Sequence, residues 1–248
     1  MGVPGMEDIQ MWFSIPVFIM YVFIVSGNIA ICYIILSEES LHKPMCLLLS
    51  TLSIADVLLA TTTTPKILSI FWFHSREIGF SACLAQLFFV HAFSMMESTI
   101  LLAMAFDRYV AICHPLRYTS ILTNDTIAKI GIVAIIRGSA FMAPASFLIW
   151  RLSYCQNNII LHTYCEHMAV VKISCSDTSI NQVYGLTVAL LVIAVDIFVY
   201  HGVVLCHRRG RLQTVFQGSP WEGLGHLWPP CLRHPDLLHP GSLLLLHS

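Results

Sequence analysis

The chain has 248 residues, 56% apolar and only 11% charged, with a formal net charge of -1. Ordinary soluble domains carry about 25% charged residues, so this composition belongs to a membrane protein whose first partner is lipid. The near-neutral balance gives no reason to expect nucleic acid as a partner, whose recognition usually needs a basic face.

The first apolar segment runs from Trp12 to Leu36. It is about 25 residues long and no basic stretch precedes it, so it reads as a spanning helix and not as a cleavable signal peptide. Further segments follow at Met45 to Phe73, Ala82 to Cys113, Ile127 to Ile149 and Val183 to Cys206. At about 1.5 Å per residue each is long enough for roughly 30 Å of hydrocarbon. Lipid admits only helices or closed barrels, and no alternating ten-residue strands are present. The expected fold is therefore all-α, a membrane bundle of five helices. Placing the N-terminus outside puts Lys43, Arg108, Arg117, Lys129, Arg208, Arg209 and Arg211 in the cytosol and leaves Arg76, Arg151 and Lys172 outside. The positive-inside bias favours that orientation.

Cys32, Cys46, Cys113 and Cys206 lie within or at the inner ends of apolar runs, as small hydrophobes or palmitoylation sites. Cys155, Cys165 and Cys175 fall in the polar stretch from Trp150 to Gln182, and Cys83 stands at the outer start of the third segment. On the oxidising side these four can pair in three ways, and spacing does not choose. Zinc is the rival reading, with His162, Cys165, Glu166 and His167 as ligands, although closed zinc sites show tighter paired spacing.

Asn28, Asp56 and Glu97 fall deep inside the first three segments. Polar groups at that depth are costly in lipid, so they are expected to face the bundle interior. Two carboxylates at similar depth cannot both stay ionised alone, and a sodium ion, a shared proton or a structural polar cluster resolves the conflict. His91, eight residues past Cys83, would sit about 12 Å below the outer end of its helix, at ligand-pocket depth or as a satisfied core residue. Arg137 and Asp196, also inside segments, are expected to pair in the interior.

The inner end of the third segment reads MAFDRYVAICHPLRY, Met104 to Tyr118. Asp107 and Arg108 stand side by side at the water boundary, where an acid and a base suggest a partner or a switch.

With Gly27-Asn28, LHKPM at Leu41 to Met45, LSIADVLLATTTTPK at Leu52 to Lys66 and HTYCEHMAV at His162 to Val170, this run resembles the olfactory receptors, rhodopsin-like seven-helix receptors coupled to G proteins, and most of all their class I, fish-like branch. The resemblance implies pairing of Cys83 with Cys165 and of Cys155 with Cys175. It implies a coupling switch of Asp107, Arg108 and Tyr109, with Asp107 restraining Arg108 at rest. It also places Asn28, Asp56 and Glu97 at an interior polar or sodium site and His91 in the ligand pocket. The implied partners are a small volatile odorant, such as a carboxylic acid, and a heterotrimeric G protein of the olfactory type. The implied location is the plasma membrane.

The chain departs from that pattern at both ends. It starts almost at the first helix and lacks the family's outer glycosylation acceptor. Its sequon, Asn124-Asp125-Thr126, falls on the cytosolic side, so surface delivery is expected to suffer, with retention in the endoplasmic reticulum. Residues 1–206 read as a partial receptor domain and 207–248 as a disordered, non-family tail. Prolines at 220, 229, 230, 235 and 240 forbid a long regular helix there, and Leu243 to Leu246 is too short to span. An out-of-frame reading of the remaining receptor sequence would produce such a tail, and the absent sixth and seventh helices would impair signalling. The alternatives are a non-signalling membrane interaction protein or an ion transporter fragment. No HExxH, GxSxG or phosphate-cradling loop points to an enzyme, and no cofactor beyond a sodium ion is expected.

Overall fold

A computed structural model describes residues 7–75, 77–155, 160 and 162–217. Arg76 and the stretch 218–248, with its prolines and its last leucine patch, lie outside the described residues. The helices are α1 (Glu7–Ser37), α2 (Pro44–Phe73), α3 (Phe80–Cys113), α4 (Tyr118–Ile121), α5 (Asn124–Trp150), α6 (His167–Lys172) and α7 (Ser179–Gln217). Among the described residues α1, α2, α3, α5 and α7 hold the five spans long and apolar enough to cross a membrane. The expected bundle of five spanning helices is present.

Helix ends follow local chemistry. Pro44 opens α2 at a position where its missing N–H costs nothing. His74 closes that helix in the left-handed conformation, φ 50°, and its N–H returns to the Ser69 carbonyl. Pro115 disfavours helix at the residue before it, so α3 stops at Cys113. At the start of α5 the Thr123 side chain accepts from the Thr126 amide. The fifth span departs from expectation, because α7 starts at Ser179 and continues past Cys206 to Gln217. No proline falls between 207 and 217, so nothing in that stretch interrupts the backbone ladder.

The packing axis is α3, which touches α2, α5 and α7. An outer core gathers Leu87 and Ala92 from α3, Met142, Ala145 and Ile149 from α5, and Val170 and Val171 from α6. An inner core joins Leu48 and Ala55 of α2, Ile100 and Val110 of α3, and Ile127 and Ala134 of α5. In lipid such contacts gain dispersion and close fit and little hydrophobic drive, since acyl chains are as apolar as leucine. Close approach therefore matters, and Gly138 supplies it: a Cβ there would stand 2.6 Å from the Ala92 carbonyl oxygen. The peripheral helices leave their large apolar side chains, such as Phe23 and Phe198, facing outward.

Candidate functional site

The polar residues of the bundle gather at three levels along α3. The outer level is built by the loop between α5 and α7. Disulfides join Cys83 to Cys165 and Cys155 to Cys175. The second closes a short antiparallel contact in which the Cys175 amide donates to the Ser153 carbonyl, beside the Tyr154–Ser174 bridge. Tyr154 donates to the Ile149 carbonyl, and burial pushes its phenol up to about 12. Gln86, buried one turn below Cys83, accepts from the Cys165 amide at 3.0 Å and donates to the Thr62 carbonyl of α2 at 3.0 Å. One side chain thus ties α2, α3 and the loop together. Cys165 is spent in its disulfide, which removes the thiolate that a zinc site at this loop would need.

Beneath that anchored loop three polar nitrogens are buried without a hydrogen-bond partner: His91 Nε2, His167 Nε2 and Asn181 Nδ2. His91 comes from α3, His167 from the first position of α6 and Asn181 from the first turns of α7. Burial and the nearby His91 ring hold the His167 imidazole below its ordinary value, with Glu166 acting in the opposite sense. His162 Nε2 lies 3.6 Å from Glu166 at the loop surface. Buried polar atoms are nearly always satisfied, so unpartnered nitrogens on three elements, two of them on neighbouring imidazoles, are groups free to bond a small polar guest. A separate groove of about 440 Å³ opens outward between the outer ends of α3 and α5, lined by Phe80, Leu84, Phe88, Phe89 and Trp150 among others, with no titratable group.

The middle level is a polar belt. The Glu97 and Asp56 carboxyl groups lie within hydrogen-bonding reach of each other, and Glu97 Oε1 is buried without a partner. Asn28 turns back on its own helix, donating to the Ile24 carbonyl at 2.9 Å, and is not bonded to either acid. On the adjoining face of α3, Arg137 of α5 donates to Thr99 Oγ1 at 2.8 Å and to Asp196 of α7 at 2.9 Å. Ser98 donates to the other Asp196 oxygen.

At the inner level Asp107 is 2% exposed and accepts a hydrogen bond from Tyr118 Oη at 2.9 Å. Burial and that carboxylate raise the Tyr118 phenol well above its ordinary value. The acid is thus held by the turn after α3, while Nη2 of the neighbouring guanidinium is buried without a hydrogen-bond partner. Tyr109 stands edge-on to His114, with its hydroxyl 3.4 Å from Nε2.

Sequence reasoning named the end members of each level but missed Gln86, Asn181, Ser98, Thr99 and Tyr118. It met His167 only as a zinc ligand. Glutamine one turn below a loop-anchoring cysteine was the one signal available for Gln86.

Residues 17–218 match the model of the olfactory receptor family. The chain belongs to the olfactory receptor family. Olfactory receptor 52P1 of Homo sapiens is 58% identical over 198 residues, covering 80% of this chain and 62% of that receptor. Olfactory receptor 52Z1P of Homo sapiens is 50% identical over 234 residues, covering 94% and 76%. Olfactory receptor 51E2 of Rattus norvegicus is 53% identical over 196 residues, covering 79% and 61%. The chain therefore spans less than two thirds of the length of two of these relatives. Among the described residues this olfactory receptor chain carries the family's class I motifs on a multi-pass helical bundle.

Proposed function

We propose that the chain acts as an odorant-sensing, G-protein-coupled receptor of the plasma membrane, with its ligand held at the outer level and its coupling face at the inner level. The observation that carries the reading is the set of orphaned nitrogens on His91, His167 and Asn181 beneath a disulfide-anchored loop. The guest they suit is small and polar, able to exchange hydrogen bonds with two imidazoles, as a short carboxylic acid does. The coupling partner is a heterotrimeric G protein of the olfactory type, meeting Arg108 and Tyr109. The unpartnered guanidinium nitrogen of Arg108 supports that role, because a buried donor without an acceptor is held ready for one. Asp56 and Glu97 share one sodium ion or one proton, since two carboxyls in contact cannot both keep a full charge unaided.

The test is cAMP output and surface staining of the epitope-tagged full chain against a panel of small volatiles, alongside His91→Ala and Arg108→Ala. A response that both substitutions leave intact sinks the assignment of these levels. A companion version carrying the other reading frame beyond Phe198 tests the expected impairment, which equal responses would overturn. Sodium titration of Asp56→Asn against the parent chain tests the cation, and an unchanged sodium effect on stability removes it.

A further inference from the structure

His167 owes its position to a missing atom on α7. The imidazole, 9% exposed, lies against Gly185, and a Cβ at that glycine would stand 2.7 Å from Cε1 and 3.0 Å from Nδ1. Carbon atoms do not approach so closely, so any larger residue at 185 requires the ring to move. The helix around this glycine is fixed by independent contacts. Tyr184 donates to the Phe141 carbonyl of α5 at 2.8 Å, and Asn181 and Val188, one turn either side of Gly185, are buried on the same face. The strand of contacts on the other side is equally firm, since His167 follows Glu166 and the cross-linked Cys165 by two residues. Between two fixed walls only the ring itself can give way.

We infer that Gly185 is the positioning and specificity-determining residue of the outer pocket: by leaving room on α7 it seats His167 so that its unpartnered Nε2 is presented at the level of His91. The ligand class this serves is a small polar molecule recognised by two imidazole nitrogens. Adding one methyl group at 185 drives the ring off its seat against α7, which displaces the Nε2 donor. Gly138 makes a useful contrast. Its forbidden Cβ would strike the Ala92 backbone, which cannot swing aside, so substitution there disturbs helix packing instead.

The functional part of this inference rests on the outer level being the ligand site, but the placement of the ring can be read without any odorant. Diethyl pyrocarbonate acylates neutral, accessible imidazole nitrogen, and mass spectrometry of the full chain in detergent counts the product at each histidine. His162, which is exposed, serves as the reference in the same molecule. Gly185→Ala is expected to raise the modification rate of His167 relative to His162 by about fivefold or more, the equivalent of the ~1 kcal/mol that a forced methyl costs at minimum. Surface delivery should stay within about twofold of the parent, while Gly138→Ala should leave the His167 rate unchanged. An unaltered His167 rate in Gly185→Ala overturns the inference. Should Gly185→Ala fail to fold, Gly185→Ala with His167→Ser decides: recovery of folding supports a clash with the ring, and continued misfolding refutes it. In the odorant assay the same pair of changes must be non-additive, with Gly185→Ala costing nothing once the ring is gone. A chain silent to every odorant yet showing the labelling shift would reject the ligand reading and keep the seating of His167.

Discussion

The two ends of α3 are built on opposite plans. The outer end is cross-linked: Cys83 is bonded to Cys165, and Gln86 joins the loop to α2 from one turn below. At the inner end Tyr118 donates a hydrogen bond to Asp107, beside a guanidinium with an unpartnered nitrogen, and Tyr109 stands edge-on to His114. The asymmetry suits the proposed role. A pocket keeps its selectivity only if its walls stay in place, and a coupling face must be able to exchange one partner for another at small cost. The difference between the ends is a covalent tie against noncovalent contacts, and it can be broken by substitution.

The largest effect is expected at the cross-link. Cys165→Ser releases a bridge across a sequence separation of 82 residues, for which chain entropy alone gives about 4 kcal/mol. Surface staining should fall to near background, and normal delivery would show that the loop is anchored by something else. Next comes the middle belt, where Arg137 and Asp196 are 17% and 24% exposed. Removing either partner strands a largely buried charge, which costs roughly 3 kcal/mol, while Arg137→Met with Asp196→Leu should recover much of the loss. Thermal unfolding in detergent reads both, and equal damage from the single and double changes would refute pairing as the reason for their presence.

A smaller effect is expected of Gly138→Ala. The Ala92 backbone must retreat from the new methyl, at about 1–3 kcal/mol, and melting of the purified chain should register it. At the inner end Tyr118→Phe removes one hydrogen bond from the buried Asp107, worth roughly 1 kcal/mol. Delivery should be nearly normal and basal coupling raised. If this substitution costs as much stability as Cys165→Ser, the contrast between the two ends of α3 is lost.

The smallest effect is a pH dependence at the outer level. Burial holds the folded His167 imidazole below its unfolded value of about 6.5, so between those two values the unfolded chain binds more protons and stability rises with pH. The contribution is fully present above about pH 6.5 and fades as pH falls through the folded value. Melting measured at pH 7.5 and 5.5 should show a gap that shrinks in His167→Asn, with Glu166, which favours the charged ring, limiting its size.

Five spans, their order and the depth of Asn28, Asp56, His91 and Glu97 were legible in the linear chain. Each follows from runs of apolar residues, interrupted by groups that lipid penalises, and a run needs no partner to be recognised. The motifs around Asp107 and Cys165 gave the family by the same local route. Partners were a different matter. Asp107 stands next to Arg108 in sequence, yet its hydrogen bond comes from Tyr118, because the turn after α3 folds back under the helix. Asn28 looked like a third member of the acidic cluster but satisfies its amide on the carbonyl one turn earlier, as an intrahelical acceptor is always in reach.

The sequence by itself determined what is buried in the membrane and which residues are out of place there, since both are properties of each segment in its solvent. Only the tertiary structure decided which of those residues meet. It added Ser98 and Thr99 to the expected pair of Arg137 and Asp196, and it pinned the outer loop through Gln86. It also gave Gly185 a meaning, because a missing Cβ matters only once an imidazole from another helix lies against the gap. Helix crossing sets these meetings, and crossing depends on side-chain contacts among α2, α3, α5 and α7 that no single segment contains.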